Sequence, residues 1–316
     1  MAIIYGRPGA EIQLLRGCPS GINCFADIKI QLEKSQKQLN EEKKHFFDKL
    51  PERIQNEKTK LDNLKIIRND VEKKWDETIV AIQKSIDSNR WMFWKYLDLV
   101  IKKNFSKPKA IRFADANIQQ QLSIINALEV NPEGVFAQEK NELISYINRL
   151  DYLVQSPEYW GAYGEIKVLQ ELQKLDDRYH IMCNVDIQLR DYVRYRGERN
   201  LRSAQMDFVV VGPTGIYVME VKNWSSDQVN HHTGLNPHEQ VDRAGMVLWI
   251  YLNEHSFFYK PRVTNLLVPV QGNIGYNENY RSVLIRNPYG VVKFINENNR
   301  NTLDENRIFK VVKILQ

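Results

Sequence analysis

Cysteine is scarce: Cys18, Cys24 and Cys183 are the only three in 316 residues. So few, so unevenly spaced, they exclude a disulfide framework, and no second CxxC-type pair accompanies Cys18 and Cys24 as a zinc site requires. That pair is read as two plain thiols in preference to a redox or metal pair. Long apolar runs are also missing. No stretch approaches the roughly 18 residues of a membrane-spanning helix, so membrane insertion is not expected. The first residues show no charged leader followed by an apolar core, so no signal peptide is expected and a cytoplasmic location is. A phosphate-binding G-x-x-x-x-G-K-[ST] loop is absent, which removes the P-loop nucleotide-binding class.

An excess of one charge sign is lacking too. Forty-four Lys and Arg stand against 39 Asp and Glu, a formal charge of +5. A generally basic nucleic-acid coat is thereby excluded, and the distribution of charge becomes more informative than its total. Residues 90–113 hold seven basic residues and one acid, and residues 190–202 hold five and two. Outside these windows the chain is slightly acidic. With 43% hydrophobic and 26% charged residues it has the composition of a folded globular protein. At roughly 150 residues per domain its length suggests two domains.

The texture changes along the chain in three steps. Residues 1–24, with Gly6, Pro8, Gly9, Gly17, Pro19 and Gly21, read as an irregular N-terminal arm. Residues 25–156 read as an all-α, coiled-coil-like domain. Here Ile54, Leu61, Leu64, Val71, Trp75, Ile82 and Ile86 recur at helical steps among interspersed charges. That seam suits either a homodimer or packing inside the chain's own domain. Pro51 is expected to end one helix and open the next. An aromatic helix over Trp91–Lys103 lies in the basic 90–113 window, which is read as a joint between modules in preference to a nucleic-acid or membrane contact. Ser156-Pro157 is the expected boundary.

Residues 157–316 read as α/β. A helix over Gly164–Leu175 precedes strands at Ile181–Leu189, Met206–Val211 and Ile216–Lys222. A helix over Pro237–Asn253 and a strand at Val263–Val270 follow, then a strand pair at Ser282–Ile285 and Val291–Ile295 and a closing helix after Leu303. That order predicts a mixed sheet. If Gly212-Pro213-Thr214-Gly215 is the turn between the second and third strands, Val211 faces Ile216, Val209 faces Val218 and Asp207 faces Glu220. Strand alternation then puts Asp207, Glu220 and Lys222 on one face. Opposed carboxylates among Val, Ile and Phe repel each other unless something binds there, and a divalent cation would supply the reason. Lys222 could hold an attacking water beside them.

Asp207, the hairpin and Glu220-Val221-Lys222 resemble the Asp…Glu-x-Lys signature of the PD-(D/E)XK nuclease superfamily. Gly161-Ala-Tyr-Gly164-Glu165, Gln205-Met206-Asp207, Asn223-Trp224 and Asn236-Pro237-His238-Glu239-Gln240 occur in the succession of the nuclease-related domain (NERD) family, over the C-terminal half only. Ser226 departs from that pattern, where relatives commonly carry Gly. The resemblance implies a restriction-endonuclease-like core with a central mixed β-sheet flanked by helices, cleaving phosphodiesters with Mg²⁺ or Mn²⁺. It implies that Asp207 and Glu220 ligate the metal and that Lys222 positions the water. Glu165 would complete the acidic cluster directly or through water, and Gln240 would sit beside the site. DNA is favoured over RNA by the resemblance alone, with foreign-DNA restriction or repair as the guess for its role.

Arg194, Arg196, Arg199 and Arg202, interleaved with Tyr192 and Tyr195 between the first two strands, are expected to grip the nucleic-acid backbone beside the site; a solvated hairpin tip is the alternative. His231, His232 and His238 are read as loop histidines. The rival functional class is a non-catalytic nucleic-acid-binding or scaffold protein whose helical half carries the activity.

Overall fold

The computed structural model describes residues 1–88, 94, 96–98, 100–101, 109–224, 236–255, 261–298 and 303–316. Contacts divide the chain into two units, one formed by Met1–Leu32 with Asn148–Gln316 and the other by Glu33–Ile147.

The second unit is helical. Helix α2 (Phe25–Ser88) supplies most of it, with α3 (Lys109–Val130), α4 (Pro132–Glu139) and the first residues of α5 (Asn141–Gln155). Of the seam residues, Ile54, Leu64, Val71, Trp75 and Ile82 are only half-buried within the chain. Leu61 of α2 is buried, as are Ile111, Ile125 and Leu128 of α3. Gln121 donates to Glu57 Oε2, and ion pairs Arg53–Glu139, Lys58–Glu129 and Arg68–Asp115 tie α2 to the helices after it. These pairs are partly exposed, and such pairs contribute only about 0–1 kcal/mol each, so they set register more than stability. Contrary to the expectation at Pro51, α2 runs through it unbroken. A mid-helix proline forfeits one backbone hydrogen bond. Here Phe46 packs on Phe136 at 5.3 Å before it and Arg53 pairs with Glu139 at 2.6 Å after it, so tertiary contacts hold both sides. The aromatic-basic stretch lies largely outside the described residues.

The first unit contains a six-stranded mixed sheet in the order β1 (Ile3–Tyr5), β2 (His180–Tyr195), β3 (Glu198–Gly212), β4 (Gly215–Asn223), β5 (Val263–Gln271) and β6 (Val283–Ile285). Strand β1 is parallel to β2, β2–β3–β4 are antiparallel, and β4–β5–β6 are parallel. Alternation along β3 and β4 feeds two cores. Val209, Val211, Ile216 and Val218 pack with Val241, Ala244 and Leu248 of α7 (Pro237–His255). Phe208, Val210, Tyr217 and Met219 pack on the other side with Val168 and Leu172 of α6 (Pro157–Leu172) and Val291 and Ile295 of α8 (Pro288–Glu297). Ser156 caps α6, its hydroxyl accepting from the Tyr159 amide with Pro157 at the first turn. Helix α9 (Glu305–Leu315) closes the chain.

Two expectations fail in this unit. Residues 1–24 are not wholly an irregular arm: Ile3–Tyr5 extend the sheet and α1 (Gly9–Gly17) packs in the same unit. Their glycines and prolines flank or end these short elements, which composition alone could not separate from a loop. Val291–Ile295 are helical, because Asn287 accepts from the Gly290 amide as an N-cap and Pro288 opens the helix. Among the described residues no helix is long and apolar enough to cross a membrane. All three cysteines are free.

Candidate active site

The turn Gly212-Pro213-Thr214-Gly215 forms as expected. Gly212 pairs with Gly215, Val211 with Ile216 and Val209 with Val218, and Gly215 takes a φ of 133° that glycine alone adopts easily. The same register carries Asp207 across from Glu220. The regular ladder stops at Phe208–Met219, however, and Asp207 Oδ2 instead accepts the Val221 amide at 2.7 Å. On its other side Asp207 stands across from Asn184, a residue held at φ 54°. The β4 ladder thus ends one residue before Asp207, whereas the β2 ladder continues past it in register. This is a place where a side chain can turn away from the sheet toward a ligand.

Glu220 is buried, with its Oε1 accepting from Lys222 Nζ at 2.6 Å. Two residues apart on β4, they share a face. Glu165 arrives from α6, which approaches β4 so closely that a Cβ on Gly164 would lie 2.7 Å from Asn223 Cβ. The glycine is what admits the helix and its carboxylate. Glu165 Oε2 accepts the Ala10 amide at 3.0 Å, at the start of α1. Glu165, Asp207, Glu220 and Lys222 all line one cleft of about 540 Å³, with Trp160, Asn223 and Trp224 among its other walls. Asn223 Nδ2 donates to Trp160 O at 2.6 Å, whereas its buried Oδ1 has no hydrogen-bond partner among the described residues.

Electrostatics in the cleft follow from crowding acids away from water. Burial, reinforced by the Asp207 charge, pushes Glu220 and Glu165 up to about 8. The Lys222 ammonium opposes the shift at Glu220, and the Ala10 and Gly9 amides oppose it at Glu165. Asp207 is raised by burial against the Val221 amide and Lys222. Among the described residues of the cleft one ammonium stands against three carboxylates, so the site is set to gain from a further cation.

The sequence-derived candidates do not all converge. Gln240 lies in the first turn of α7 and is not among the residues lining the cleft. The arginine hairpin folds as a long β2–β3 extension, turning at Arg196 (φ 48°) and Gly197 (φ 94°). At about 3.3 Å per residue, Arg202 stands roughly 17 Å along β3 from Asp207 and Arg199 roughly 26 Å. The arginines therefore lie along an arm leading from the site, not beside it. Arg196 stacks on Tyr280 at 3.9 Å and donates to Asn279 O. Arg199 Nε donates to Tyr192 O at 2.8 Å, Arg202 lies over the Tyr192 ring at 5.4 Å, and Arg194 is exposed. His238 is buried, its Nε2 2.9 Å from Gly275 O, which gives it a packing role; His231, His232 and Ser226 lie outside the described residues.

Sequence reasoning missed Trp160, a cleft wall next to the Gly161–Glu165 motif, and missed the amides of α1. For Trp160 the signal was adjacency to that motif. For α1 there was none, because a backbone amide carries no sequence signature.

Among curated proteins and solved structures nothing matches the chain. The family model described as a nuclease-related domain matches residues 160–270, a span that runs from the Trp160 wall through Glu165, Asp207, Glu220 and Lys222 into β5. Residues 160–270, in the C-terminal half of the chain, thus match a nuclease-related (NERD) domain of the PD-(D/E)XK type.

Proposed function

We infer that the chain is a metal-dependent endonuclease that hydrolyses phosphodiester bonds of nucleic acid, with DNA as the favoured substrate. The observation that carries this reading is the meeting of Asp207, Glu220 and Lys222 in one cleft, with Glu165 brought to it by a separate helix. Structural ion pairs do not need three carboxylates around one ammonium, two of them pushed up to about 8 by burial and mutual repulsion.

The donor set fits Mg²⁺ or Mn²⁺, hard cations that accept one or two carboxylates and leave other positions to water and phosphate. Asp207 and Glu220 would hold the ion. Among the described residues no group of three His, Cys, Asp or Glu forms a cage alone, so water would fill other positions and Glu165 would complete the set directly or through water. When bound, the ion supplies Lewis-acid polarisation of the phosphoryl group and a lowered water pKa. Lys222 orients the attacking water and stabilises charge gathering at phosphorus. Gln240, in the first turn of α7, would sit beside the site rather than in its wall. A homodimer through the helical unit belongs to the same proposal. Its contact would use exposed apolar residues such as Ile66, Ile67 and Val80, because Leu61 is already buried within the chain. Foreign-DNA restriction or repair in the cytoplasm is the role proposed for it.

The test incubates the protein with linear, circular and single-stranded DNA and with RNA, in Mg²⁺, Mn²⁺ or EDTA, beside Lys222→Ala and Asp207→Ala. Metal-dependent cleavage lost in both variants is expected. No cleavage of any substrate under any metal would instead favour the scaffold reading.

A further inference from the structure

A second cavity, of about 620 Å³, opens on the face of α6 away from the acidic cleft, where α6 meets α1 and the start of α2. Its walls combine aromatic rings with ammonium groups. Tyr163 and Tyr159 come from α6 and Phe25 from α2, with Phe25 4.6 Å from Tyr159 and 6.4 Å from Tyr163 between ring centres. Lys29 Nζ lies 5.9 Å from the Tyr159 ring, and Lys167 Nζ lies between the Tyr163 and Tyr289 rings at 6.0 and 5.6 Å. Neither lysine has a carboxylate within 4.0 Å among the described residues. The one acid on the wall, Glu11, is engaged by the Phe25 amide at 3.1 Å.

One aromatic pair links the wall of the cavity to the wall of the cleft. Trp160 lines the cleft, Tyr163 lines the cavity, and their rings meet edge to face at 5.8 Å. Trp160, Tyr163 and Lys167 are three and four residues apart on α6, so they form one stripe leading out of the cleft. Tyr289, 66% exposed, extends it. Half-buried Phe25 and Tyr163 and exposed Tyr289, flanked at intervals by ammonium groups without a carboxylate partner among the described residues, suit unstacked bases joined by phosphates. Duplex bases are stacked on one another and offer no open faces.

We propose that this stripe and cavity bind a single-stranded segment of the nucleic acid whose scissile phosphate lies in the acidic cleft. Tyr163 and Phe25 stack on bases, and Lys29 and Lys167 pair with phosphates. The proposal rests on the nuclease reading and assigns its substrate a single strand or a frayed, tailed end.

The test measures anisotropy of a fluorescent 20-nucleotide single strand, and of the matching blunt duplex, with the full chain in EDTA. Wild type is expected to prefer the single strand. Tyr163→Ala and the double variant Lys29→Ala/Lys167→Ala are each expected to weaken single-strand binding at least tenfold, the lysine variant also flattening the salt dependence. Tyr163→Phe keeps the ring and is expected to bind as wild type does, which separates stacking from misfolding. Unchanged single-strand affinity in both alanine variants would overturn the proposal. So would equal or tighter binding of the blunt duplex by wild type. Either result would leave the nuclease reading standing if wild type still cuts in Mg²⁺ and Lys222→Ala does not. Absence of all cleavage with the stripe's binding intact would remove only the catalytic reading.

Discussion

The Ala10 amide donates to Glu165 Oε2 at 3.0 Å, joining a helix near the start of the chain to the acidic cleft. Helix α1 follows Pro8, which offers no side-chain acceptor at the cap position. Its first amides therefore take their acceptor from α6, and Glu165 serves as an N-cap across space while its carboxylate faces the cleft. The two roles are separable by substitution. Glu165→Gln keeps an acceptor for Ala10 but removes the charge, so thermal stability should hold while cleavage falls at least tenfold. Ala10→Pro removes the donor at the second helical position, a place where proline is tolerated. It should cost about 1 kcal/mol by loss of the cap bond and should weaken Mn²⁺ binding, whereas Ala10→Ser should do neither. Melting curves and Mn²⁺ titration followed by electron paramagnetic resonance check this. Equal Mn²⁺ affinity in Ala10→Pro and wild type would show that α1 does not hold Glu165 in place.

Metal-free stability should fall as pH rises. Glu165 and Glu220 are pushed up to about 8 in the folded protein by burial, whereas unfolded carboxylates titrate near 4.5. Between these values the folded state binds more protons than the unfolded one, so stability is fully present below about pH 4.5 and declines through pH 8. The groups facing the two acids are Asp207, Lys222 and the α1 amides. Of these, Asp207 adds to the rise, and Lys222 and the amides moderate it. In EDTA the melting temperature should drop by several degrees from pH 5.5 to 8.5, more than in Glu220→Gln. Millimolar Mg²⁺ should reverse the trend at pH 8, since it binds the ionised acids. A melting temperature that is flat in EDTA across this range would contradict the assignment of buried, repelling carboxylates.

Most of this site was legible in the sequence, for a local reason. The Gly-Pro-Thr-Gly turn fixes register, and period-two alternation then places Asp207, Glu220 and Lys222 without any tertiary information. Glu165 needed a resemblance, because nothing in local spacing says that α6 crosses β4. The arginine hairpin was legible as a hairpin, but its reach was not: the length over which β2 and β3 stay paired moved the arginines well away from Asp207. Residues 1–24 look irregular in sequence because a three-residue edge strand and a nine-residue helix carry too little periodicity to stand out from their glycines. The helical seam was correctly spaced. Spacing alone could not say whether another chain or α3 would fill it.

Gly164 should tolerate no side chain, and Gly161 should. An added Cβ at Gly164 would come within 2.7 Å of Asn223 Cβ and 3.6 Å of Val221 Cγ1. The first of these atoms is fixed by the β4 backbone, so α6 itself must move. Overpacking of this kind costs about 1–3 kcal/mol, and Glu165 would move with the helix. Gly164→Ala should therefore lower both the melting temperature and the affinity for Mn²⁺. At Gly161 the nearest atom would be Ala10 Cβ at 3.6 Å, an ordinary contact. Gly161→Ala should be neutral or stabilising by up to about 1 kcal/mol through helix propensity. Comparable melting temperatures for the two variants would refute the close approach of α6 to β4.

The hairpin arginines should separate binding from chemistry. Arg194 is exposed, whereas Arg196 is stacked on Tyr280 and holds Asn279 O. A charge reversal at Arg194 would remove the proposed phosphate contact without disturbing the fold. Arg194→Glu should thus weaken nucleic-acid binding and reduce the salt slope by about one ion, with unchanged stability and little change in cleavage at saturating substrate. Arg196→Glu would also break the docking of the hairpin tip on Tyr280, so its loss of binding should come with a lower melting temperature. Binding isotherms at several salt concentrations, single-turnover cleavage and melting curves together distinguish the two. If Arg194→Glu bound with an unaltered salt slope, the arm would be a solvated tip, and the substrate path would have to run elsewhere from the cleft.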